Sequence, residues 1–404
     1  MNNSENYDYT IIGAGIVGIA IGIALLENNP KKKVAIVDKE LQPGVHASGR
    51  NSGVLHAGFY YSPDSLKAKF CKVGNQELSE YCKQNNLPFK NIGKVVVTKD
   101  ESELGRLRDL FERGIKNGIN LELLTKNELK KIEPSANTTQ EFIWSPTTSI
   151  ADPKLVNLSL ADKFRNLGGV FCFNQKANLE IQNGKINLLL NSKTFKTEII
   201  INSSGAAAAT LAKQVGVGKE FVCLPFLGSY WKTKQNSEMP SRLIYPVPNP
   251  INPFLGVHTT NTLSGDIKLG PTAFPVIGKE QYKLTEGFNF DELREFIVAS
   301  KTMMKSKSMN FRSLAFTEFL KQFKFKVVSN SKYLSDAIKL NNGWEKYPAG
   351  IRAQIVNLEN NSLEMDYIVR SDKNAVHVLN AVSPGWTSAL PFGRWVVENQ
   401  PLLS

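Results

Sequence analysis

A glycine-rich turn near the start of the chain limits the fold more than any other segment does. The letters GAGIVG, residues 13–18, stand between an apolar run at residues 9–12 and an apolar stretch of helical length at residues 16–28. A second apolar run, residues 34–37, follows and ends in Asp38. This order is typical of a strand, a tight turn, a helix and a parallel strand that together bind a dinucleotide. The pattern therefore predicts a Rossmann-like βαβ unit.

The three glycines of this turn have different roles. Gly13 permits the tight turn, Gly15 lets the backbone approach a pyrophosphate, and Gly18 lets the helix pack closely on the strand. The helix N-terminus then presents free N–H groups to the phosphates. Asp38 stands 20 residues after Gly18, where its carboxylate can accept hydrogen bonds from the adenosine ribose hydroxyls. A glycine turn without a ligand is the alternative that this spacing disfavours.

The composition bounds the class of protein. At 404 residues, of which 42% are hydrophobic, the chain is long enough for two domains and too apolar to be disordered. Lysine and arginine number 49 against 37 aspartates and glutamates, and the resulting net charge of +12 attracts anions of many kinds. Because no motif of an RNA- or DNA-binding module appears, we expect no nucleic-acid partner.

Cysteine spacing and one long apolar stretch bear on the compartment. Cys71, Cys82, Cys172 and Cys223 form no CxxC pair and have no histidine at ligand spacing, so we expect neither a metal site nor a disulfide. A reducing, cytoplasmic compartment fits this usage, and the polar start of the chain has no cationic signal region. Residues 9–26 are long and apolar enough for a membrane span, but their ordered glycines favour a strand, a turn and a helix.

Strand-like and helical stretches alternate along the chain. Apolar runs at residues 34–38, 198–204 and 375–381 are typical of parallel strands that share one sheet. Residues 222–270, with short apolar runs broken by Pro and Gly, indicate an antiparallel sheet. We expect an α/β (α+β) fold with a discontinuous Rossmann-like nucleotide-binding domain and an interleaved antiparallel-sheet substrate domain. The expected nucleotide-binding segments are residues 1–82, 148–220 and 346–404, and the expected substrate-domain segments are residues 83–147 and 221–345. Helical periodicity is expected over residues 75–85, 101–117, 153–166 and 291–326.

Two polar loops narrow the choice of dinucleotide. Residues 48–58 read SGRNSGVLHAG, a run of small and polar residues that suits a large flat ligand whose edge needs several hydrogen bonds. A nicotinamide enzyme needs no such loop at this position. Residues 380–388 place Pro384 and Gly385 before a helix start, whose N-terminus would favour an anionic reduced flavin by about 0.3–1 kcal/mol. Both loops favour a flavin, and ordinary turn chemistry is the alternative.

Further motifs resemble those of a known family. Besides the glycine turn, they are GRNSGVLHAGFYY (residues 49–61), SLKAKFCKVGN (65–75), IYPVPNP (244–250), PFLGVH (253–258), LGPTA (269–273), PAGIRAQ (348–354) and SPGWTSA (383–389). In this order they are similar to the L-2-hydroxyglutarate dehydrogenase/oxidase family, within the wider D-amino-acid-oxidase-like flavoproteins. The resemblance runs nearly end to end. It implies an FAD-binding domain and the oxidation of a 2-hydroxy acid to a 2-oxo acid.

The chain departs from the family pattern in segments that we expect on the substrate side. Arg50 stands where the family has His, Leu227 where it has Arg in Pro-Phe-Arg-Gly, and Thr272 where it has Asn. Gly385 and Trp386 stand where the family has two alanines. A charge-assisted contact to a carboxylate contributes roughly 1.5–3 kcal/mol. If the family's Arg at position 227 holds a second carboxylate, its replacement puts hydroxyglutarate itself in doubt.

The turn, the two loops and the resemblance together give a set of residues that we expect around FAD. They are Gly13, Gly15, Ile16, Val17, Gly18, Asp38, Lys39, Ser48, Arg50, Asn51, Ser52, Gly53, Leu55, Ala177, Ser204, Gly205, Arg352, Pro384, Gly385, Trp386, Thr387 and Ser388. Of these, Ala177, Ser204 and Gly205 are carried over from the family pattern as neighbours of the adenine and the pyrophosphate.

Three residues in these motifs are candidates for the chemistry. A neutral His56 could take the substrate hydroxyl proton as the C2 hydrogen leaves as hydride, while a structural role or a covalent flavin link is the alternative. His258 could contact substrate or be a core histidine, and which of the two histidines is the base stays open. Arg352 could clamp the 1-carboxylate and fix C2 over flavin N5, with a structural salt bridge as the alternative. The expected pocket walls are Tyr60, Tyr61 and Tyr245, for which a place in the core is the alternative.

Residues 301–326 combine basic residues with Met and Phe. A basic amphipathic helix can lie on an anionic bilayer, which would bring the flavin near a membrane quinone, and a solvated helix packed on its own domain is the alternative. We expect an FAD-dependent 2-hydroxy-acid dehydrogenase or oxidase, reoxidised by quinone or oxygen, in the cytoplasm or peripheral on the inner face of the membrane. An FAD-dependent amino-acid or secondary-amine oxidase and a non-catalytic flavin- or lipid-binding protein are the alternatives.

Overall fold

The computed structural model describes residues 6–191, 193–234, 236, 238–249, 254–284, 288–307 and 309–403. Two motif residues named by the sequence, Pro250 and Pro253, lie outside the described residues. The helices are α1 (Ile16–Asn28), α2 (Leu66–Gln84), α3 (Leu104–Lys116), α4 (Lys126–Ile132), α5 (Pro153–Asn166), α6 (Ala208–Gln214), α7 (Phe290–Met304), α8 (Phe311–Leu320), α9 (Lys324–Ser331) and α10 (Ala389–Asn399). The strands are β1 (Tyr7–Ile12), β2 (Val34–Val37), β3 (Val54–Leu55), β4 (Phe89–Asn91), β5 (Lys94–Val97), β6 (Glu122–Thr125), β7 (Glu141–Ser145), β8 (Ser149–Ala151), β9 (Val170–Cys172), β10 (Ala177–Gln182), β11 (Lys185–Leu190), β12 (Lys193–Phe195), β13 (Thr197–Asn202), β14 (Phe221–Lys234), β15 (Leu243–Pro246), β16 (His258–Asn261), β17 (Asp266–Gly270), β18 (Phe274–Pro275), β19 (Glu345–Asn357), β20 (Ser362–Leu363), β21 (Ile368–Asp372) and β22 (Ala375–Asn380).

The first sheet has the strand order β21-β22-β13-β1-β2-β9. β1 lies at its centre and pairs in parallel with β2 on one side and with β13 on the other. β9 and β22 extend the parallel sheet, and the edge strand β21 is antiparallel. Successive strands therefore leave β1 in opposite directions, and the carboxyl ends of β1 and β13 form a switch point where open α/β sheets bind ligands. The predicted Rossmann-like sheet is confirmed.

Helices cover one face of this sheet and a smaller sheet covers the other. α1, α5 and α10 bury their apolar side chains against β1 and β2 in one core. On the opposite face, the sheet β10-β11-β12 packs Leu179, Ile186 and Leu188 against Ile12 and Val37. The two layers hold the carboxyl ends of the parallel strands in a fixed position.

The apolar stretch at residues 9–26 is a buried strand, turn and helix. α1 is buried on nearly every side, which is why its sequence is apolar all round. Among the described residues, no helix is both long and apolar enough to cross a membrane.

A second sheet has the order β16-β17-β14-β19-β20, and its pairs are antiparallel. β14 and β19 form its long central pair, with a register shift between Gly228 and Tyr230. Helices α7 and α8 pack Met303 and Phe311 against Phe226 of β14. This is the antiparallel sheet that the sequence predicted.

A third sheet, β15-β5-β7-β6, corrects one expectation. β15 lies in the segment for which the sequence indicated antiparallel strands, yet it pairs in parallel with β5, Tyr245 opposite Val96. All four residues of β15 are buried, as is usual for a strand covered on both faces. Four consecutive buried residues show no alternation of polar and apolar side chains, so the sequence does not indicate which strand pairs with β15.

One helix begins earlier than its periodicity indicated. The helix expected at residues 75–85 is the second half of α2, which begins after Ser65 because that side chain accepts a hydrogen bond of 3.1 Å from the Ala68 N–H. Gly74 in the middle of α2 allows a close approach, since a Cβ there would lie 2.1 Å from the carbonyl oxygen of Thr387. α2 thereby packs directly against the loop before α10.

The basic stretch expected to be helical over residues 291–326 is three helices, α7, α8 and α9. Asn289 caps α7 and Asn310 caps α8, and each asparagine starts a new helix because its side chain accepts from a first-turn amide. The helices expected at residues 101–117 and 153–166 correspond to α3 and α5.

The sheets cross the expected domain boundaries. β19 lies almost wholly within the segment 346–404 and pairs along its length with β14 of the segment 221–345. β3 and β4 both pair with β8, which joins segments assigned to different domains. The division into two discontinuous domains therefore stays a prediction.

Candidate active site

The glycine turn lies at the carboxyl end of β1, against the chain that leaves β13. Gly13 has a φ of +107°, and a Cβ there would lie 2.7 Å from the carbonyl oxygen of Ser203 and 3.0 Å from Ser204 Cα. At Gly18 a Cβ would lie 2.1 Å from the carbonyl oxygen of Gly13. Both positions therefore need glycine for the fold itself. Gly205, with a φ of +60°, follows at the same edge of the sheet.

Gly15 is constrained for a different reason. Its φ of −76° suits any residue, and within the described part of the chain a Cβ would meet one heavy atom, Ser48 Oγ, at 3.1 Å. That hydroxyl accepts a hydrogen bond of 2.9 Å from the Ile16 N–H. In the same described part, the first turn of α1 has no acidic residue and no side chain caps the amide of Val17. The helix end is therefore open to an anion that approaches over Gly15.

Asp38 follows β2 and binds backbone amides of two segments. One carboxylate oxygen accepts from the Ala14 N–H at 2.6 Å and the other from the Glu40 N–H at 2.9 Å. A carboxylate offers about four lone-pair positions, so both oxygens keep capacity for ribose hydroxyls. The Asp38 carbonyl also accepts from the Gln175 N–H at 2.9 Å, which brings Ala177 at the start of β10 to this edge.

Lys39 takes part in ion pairs at the surface. Its ammonium lies 2.7 Å from a carboxylate oxygen of Glu40 and 2.5 Å from one of Glu280. His46, a loop residue, lies 2.9 Å from the same Glu40 oxygen. Glu40, His46 and Glu280 are close enough together to hold a metal ion, but the Lys39 ammonium already bonds both carboxylates.

The first polar loop, residues 48–58, is held by its own side chains. Asn51 donates to the Ser48 carbonyl at 2.7 Å and accepts from the Gly53 N–H at 2.8 Å. Arg50 stacks its guanidinium on the ring of Tyr282, 3.9 Å from the ring centre. The loop therefore has a fixed shape, and Arg50 links it to the second sheet by donating to the Ala349 carbonyl of β19 at 3.3 Å.

The second polar loop, before α10, contacts the first. The Thr387 hydroxyl donates to the Val54 carbonyl and accepts from the His56 N–H, both at 3.3 Å. Leu55, between these two partners, is fully buried. The residues of this loop that the sequence assigned to FAD are Pro384, Gly385, Trp386, Thr387 and Ser388. Two segments more than 300 residues apart in the chain are thus brought together, as both were expected to border one flat ligand.

His56 lies between the two loops and the second sheet. Burial holds the pKa of His56 well below its usual value of 6.5, and the neighbouring titratable groups of Lys94, His258 and Arg352 lower it further. The imidazole is therefore neutral near pH 7 and able to accept a proton. Its backbone N–H is fixed by Thr387, so the loop before α10 also positions this residue.

His258, at the start of β16, has a defined tautomer. Its Nδ1 lies 2.8 Å from the carbonyl oxygen of Gly256, and because a carbonyl oxygen only accepts, Nδ1 carries the hydrogen. Nε2 therefore keeps a free lone pair. The ring stacks on Tyr245 with 3.7 Å between ring centres, and burial lowers the pKa of His258 to about 3.

Arg352 lies on β19 opposite Phe226, and its guanidinium is 4.9 Å from the ring centre of Phe254. Burial lowers its pKa, which the nearby Tyr230 raises in part. Among the described residues Arg352 forms no ion pair. The negative charge of Glu318 raises the Arg352 pKa slightly, but the Glu318 carboxylate forms its ion pair with Lys321. This arrangement disfavours the salt-bridge alternative and leaves the guanidinium available to an anionic ligand.

Leu227 lies on the other face of β14. It pairs with Ile351, whereas Arg352 pairs with Phe226, so the side chains of Leu227 and Arg352 point to opposite faces. Leu227 packs with Ile351 and Val276 in an apolar cluster. A second carboxylate bound near Arg352 would therefore need a cation from another segment.

The sequence reasoning missed three buried lysines around this site. Lys268 of β17 donates to the Ser52 carbonyl at 3.2 Å, and burial lowers its pKa to about 8. Burial likewise lowers the pKa of Lys67, on α2, to about 8 and that of Lys94, on β5, to about 7. Two of these lysines could have been noticed in the sequence, because Lys94 and Lys268 stand within the largely apolar strands KVVV and DIKLG.

The tyrosines expected as pocket walls border this group of side chains. Tyr60 and Tyr245 face the Lys94 ammonium, whose nitrogen lies 4.6 and 4.8 Å from their ring centres. Arg352 lies close enough to Tyr61 for its positive charge to oppose the rise that burial causes in the Tyr61 pKa. The structure thus brings together the expected chemical and wall residues, while Lys39 and Ala177 lie at the Asp38 edge.

The sheet topology and the two loops define the class of protein. The family described as FAD dependent oxidoreductase matches residues 8–399. A solved structure of dithionite-reduced L-α-glycerophosphate oxidase from Mycoplasma pneumoniae, with FAD bound, is 25% identical and covers 99% of this chain and 95% of its own, with a TM-score of 0.78. The chain belongs to the FAD-dependent oxidoreductase family.

Within that family, relatives of this chain are named L-2-hydroxyglutarate dehydrogenase. The protein of that name from Indibacter alkaliphilus is 38% identical over 407 residues, which are 97% of this chain and 98% of the relative. The one from Escherichia coli strain K12 is 32% identical over 409 residues, 98% and 94% of the two chains. The resemblance drawn from the motifs is confirmed.

The cofactor of this class is FAD, and the residues of this chain fit it. The open end of α1 and the space over Gly15 suit a pyrophosphate, and Asp38 keeps lone pairs for a ribose. The two polar loops meet at Thr387, beside the neutral His56. The chain is thus an oxidoreductase with a buried, positively charged site next to its cofactor loops.

Proposed function

We propose that this protein oxidises a small 2-hydroxy acid of the L-2-hydroxyglutarate type to the 2-oxo acid. The observation that carries the proposal is the group of half-buried Arg352, half-buried His56 and buried His258, a guanidinium without an ion pair in the described structure beside two neutral imidazoles. A carboxylate and a hydroxyl on adjacent carbons present the two groups that this set binds, an anion and a proton donor. The names of the relatives support the same substrate class.

In this mechanism Arg352 holds the 1-carboxylate and thereby fixes C2 toward the cofactor loops. His56 takes the hydroxyl proton at a ring nitrogen, because it is neutral and lies beside Thr387 of the second loop. His258 is clamped between Tyr245 and the Gly256 carbonyl, and its Nε2 lone pair accepts a hydrogen bond and positions the substrate. The FAD that the glycine turn, Asp38 and the two polar loops would hold would supply the two-electron acceptor for the hydrogen on C2.

We assign the cofactor contacts as the sequence expected them. Gly15, Ile16 and Val17 approach the pyrophosphate, and Asp38 accepts from the ribose. The residues around Ala177 would hold the adenine, and residues 48–58 and 384–388 would hold the flavin. In this proposal the FAD-binding domain is made of residues 1–82, 148–220 and 346–404, and residues 83–147 and 221–345 cover the flavin.

The rival function keeps the fold and the cofactor and changes the substrate to an amino acid or a secondary amine. An amine substrate arrives as an ammonium ion, which this site repels, because Arg352, Lys94 and Lys268 all surround it with positive charge. Anaerobic mixing of the yellow protein with L-2-hydroxyglutarate, L-lactate, L-glutamate and L-proline separates the two. The proposal expects flavin bleaching by a hydroxy acid and none by the amines. Bleaching by an amine alone overturns it.

For the electron acceptor we propose a membrane quinone, reached by peripheral docking. The supporting feature is a surface on α8 and α9 that we call the aromatic–basic surface, made of Phe316, Phe319, Phe323, Phe325, Lys324 and Lys326. Phe316 and Phe325 are 66% and 59% exposed. Exposed aromatic rings beside lysines suit the interface of an anionic bilayer. Oxygen is the alternative acceptor.

A further inference from the structure

The side chain of Lys94 is an unusual feature of the third sheet. It stands at the first position of β5 and is completely buried. Within the described residues its ammonium nitrogen has no hydrogen-bond partner. The rings of Phe59, Tyr60 and Tyr245 surround it, with their centres 4.4, 4.6 and 4.8 Å from the nitrogen. Aromatic faces attract a cation but do not replace the hydrogen bonds that an ammonium makes in water.

Other polar atoms beside Lys94 also have few partners. Among the described residues the Tyr60 hydroxyl is buried without a hydrogen bond, and the buried hydroxyls of Tyr245 and Thr260 have no partner beyond each other. Buried polar groups in folded proteins are nearly always paired, so a cluster of donors without acceptors calls for an explanation. Each of these groups can donate, and a carboxylate, which only accepts, would satisfy several of them at once.

This cluster adjoins the site already described. Tyr245 stacks on His258, and the Lys94 charge lowers the pKa of both His56 and His258. The Arg352 charge acts on the same two histidines. Lys94 and Arg352 therefore flank one pair of imidazoles, and no carboxylate among the described residues acts on the Lys94 pKa.

We propose that Lys94 binds the second carboxylate of a dicarboxylic 2-hydroxy acid, while Arg352 binds the first. This inference rests on the proposed function and makes Lys94 the residue that distinguishes a diacid from a monoacid. Because Leu227 stands where the family has Arg, the second carboxylate needs a cation from another segment. Lys94 of the third sheet supplies that cation. The tyrosine hydroxyls add donors to the same carboxylate.

The charge state of Lys94 links diacid binding to pH. Burial lowers the pKa of Lys94 to about 7, so near neutral pH the free protein holds a mixture of amine and ammonium. The titratable groups that face it are Tyr60, Tyr245 of β15, His258 of β16, His56 and Cys71 of α2. The tyrosines and Cys71 have raised pKa values and the histidines lowered ones, so all are neutral there. A bound carboxylate raises the Lys94 pKa, and diacid binding above pH 7 therefore takes up a proton.

The test compares Lys94→Met with the wild type on L-2-hydroxyglutarate and on L-2-hydroxypentanoate, which has the same chain length and lacks the second carboxylate. We expect KM for the diacid to rise by about tenfold or more in the variant, since a charge-assisted contact is lost. The kcat/KM for the monoacid should stay unchanged or rise. Lys213→Met is the matched control, because it removes another partly buried lysine whose charged neighbours, Glu295, Lys279 and Glu220, lie outside the site, and it should leave the ratio of diacid to monoacid kcat/KM as in the wild type. An unchanged ratio in Lys94→Met overturns the inference.

Should Lys94→Met fail to fold, inhibition of the wild type keeps the inference testable. Glutarate should inhibit more weakly as pH rises from 6 to 8.5, while pentanoate, with one carboxylate, should change less. Equal pH dependence of the two inhibitors contradicts the role of Lys94. Failure of the proposed function is recognised separately, because the wild-type flavin would then stay oxidised with both hydroxy acids.

Discussion

At the scale of single residues, the site is organised by burial of positive charge. Arg352 and Lys94 lose water on folding and gain no carboxylate in the described structure, which lowers the pKa of both. Burying charge in this way costs stability and is typical of a binding site for an anion. Burial keeps His56 and His258 neutral, and the same charges act in the same direction. One set of residues thus binds the acid and prepares the base.

The first prediction concerns Arg352. Substituting Arg352→Met removes the guanidinium and keeps an apolar chain of similar length, so the fold should persist. Loss of the charge-assisted contact, worth roughly 1.5–3 kcal/mol, should lower kcat/KM for hydroxy acids by about tenfold to a hundredfold. Steady-state kinetics measures the loss, and the flavin absorbance per protein shows whether FAD is retained. A variant with wild-type kcat/KM contradicts the assignment.

The second prediction is a pH profile. An ordinary histidine base loses activity as pH falls through 6.5, because its neutral form disappears. Here burial lowers the pKa of His258 to about 3 and holds that of His56 well below 6.5. With a monocarboxylic hydroxy acid, log kcat/KM should therefore stay level from pH 8 down to about pH 5. A decline that begins at pH 6.5 would show that a histidine with an ordinary pKa carries the reaction.

At the scale of elements, α1 and the three basic helices are the parts whose sequence bears most directly on binding. α1 starts at a glycine where a Cβ would meet Ser48 Oγ alone among the described atoms, and its first turn lacks acidic residues in the described structure. α8 and α9 carry the aromatic–basic surface outward. The first element was predictable from spacing. The division of the basic stretch into separate helices was signalled by Asn310, because asparagine favours the N-cap position.

Gly15 allows a test that separates cofactor binding from folding. Because its φ of −76° is unstrained and a Cβ would touch Ser48 Oγ alone among the described atoms, Gly15→Val should fold but obstruct the pyrophosphate. We expect the purified variant to contain little FAD and to bind added FAD at least about tenfold more weakly. Gly105→Val, at a position where a Cβ would meet no atom of the described structure, is the control and should stay yellow. Full FAD occupancy in Gly15→Val would be incompatible with our placement of the cofactor.

The aromatic–basic surface predicts binding to anionic vesicles. The double variant Phe316→Ser, Phe325→Ser should sediment less with phosphatidylglycerol vesicles than the wild type, because two exposed rings can no longer enter the interface. Leu41→Ser is the control, since Leu41 is 77% exposed on a loop of another segment. Sedimentation equal to that of the wild type would leave the surface without a membrane role.

At the scale of the whole molecule, long-range pairing decides what the sequence could reveal. The parallel sheet followed from apolar runs and glycine spacing, because those signals are local. The parallel pairing of β15 with β5 did not, since nothing in a four-residue buried run names its partner. Lys94 and Lys268 were missed for the same reason. A lysine in an apolar strand becomes a site residue only when the fold brings it beside His258.

The measurement that tests the account most directly is the product formed in a single anaerobic turnover. Wild-type protein is mixed without oxygen with L-2-hydroxyglutarate, and the 2-oxoglutarate formed is counted against the flavin bleached. The account predicts equal amounts of both, with no reaction of the D enantiomer beyond a trace. A flavin that stays oxidised with the L acid, or one that L-glutamate bleaches with release of ammonium, would contradict it.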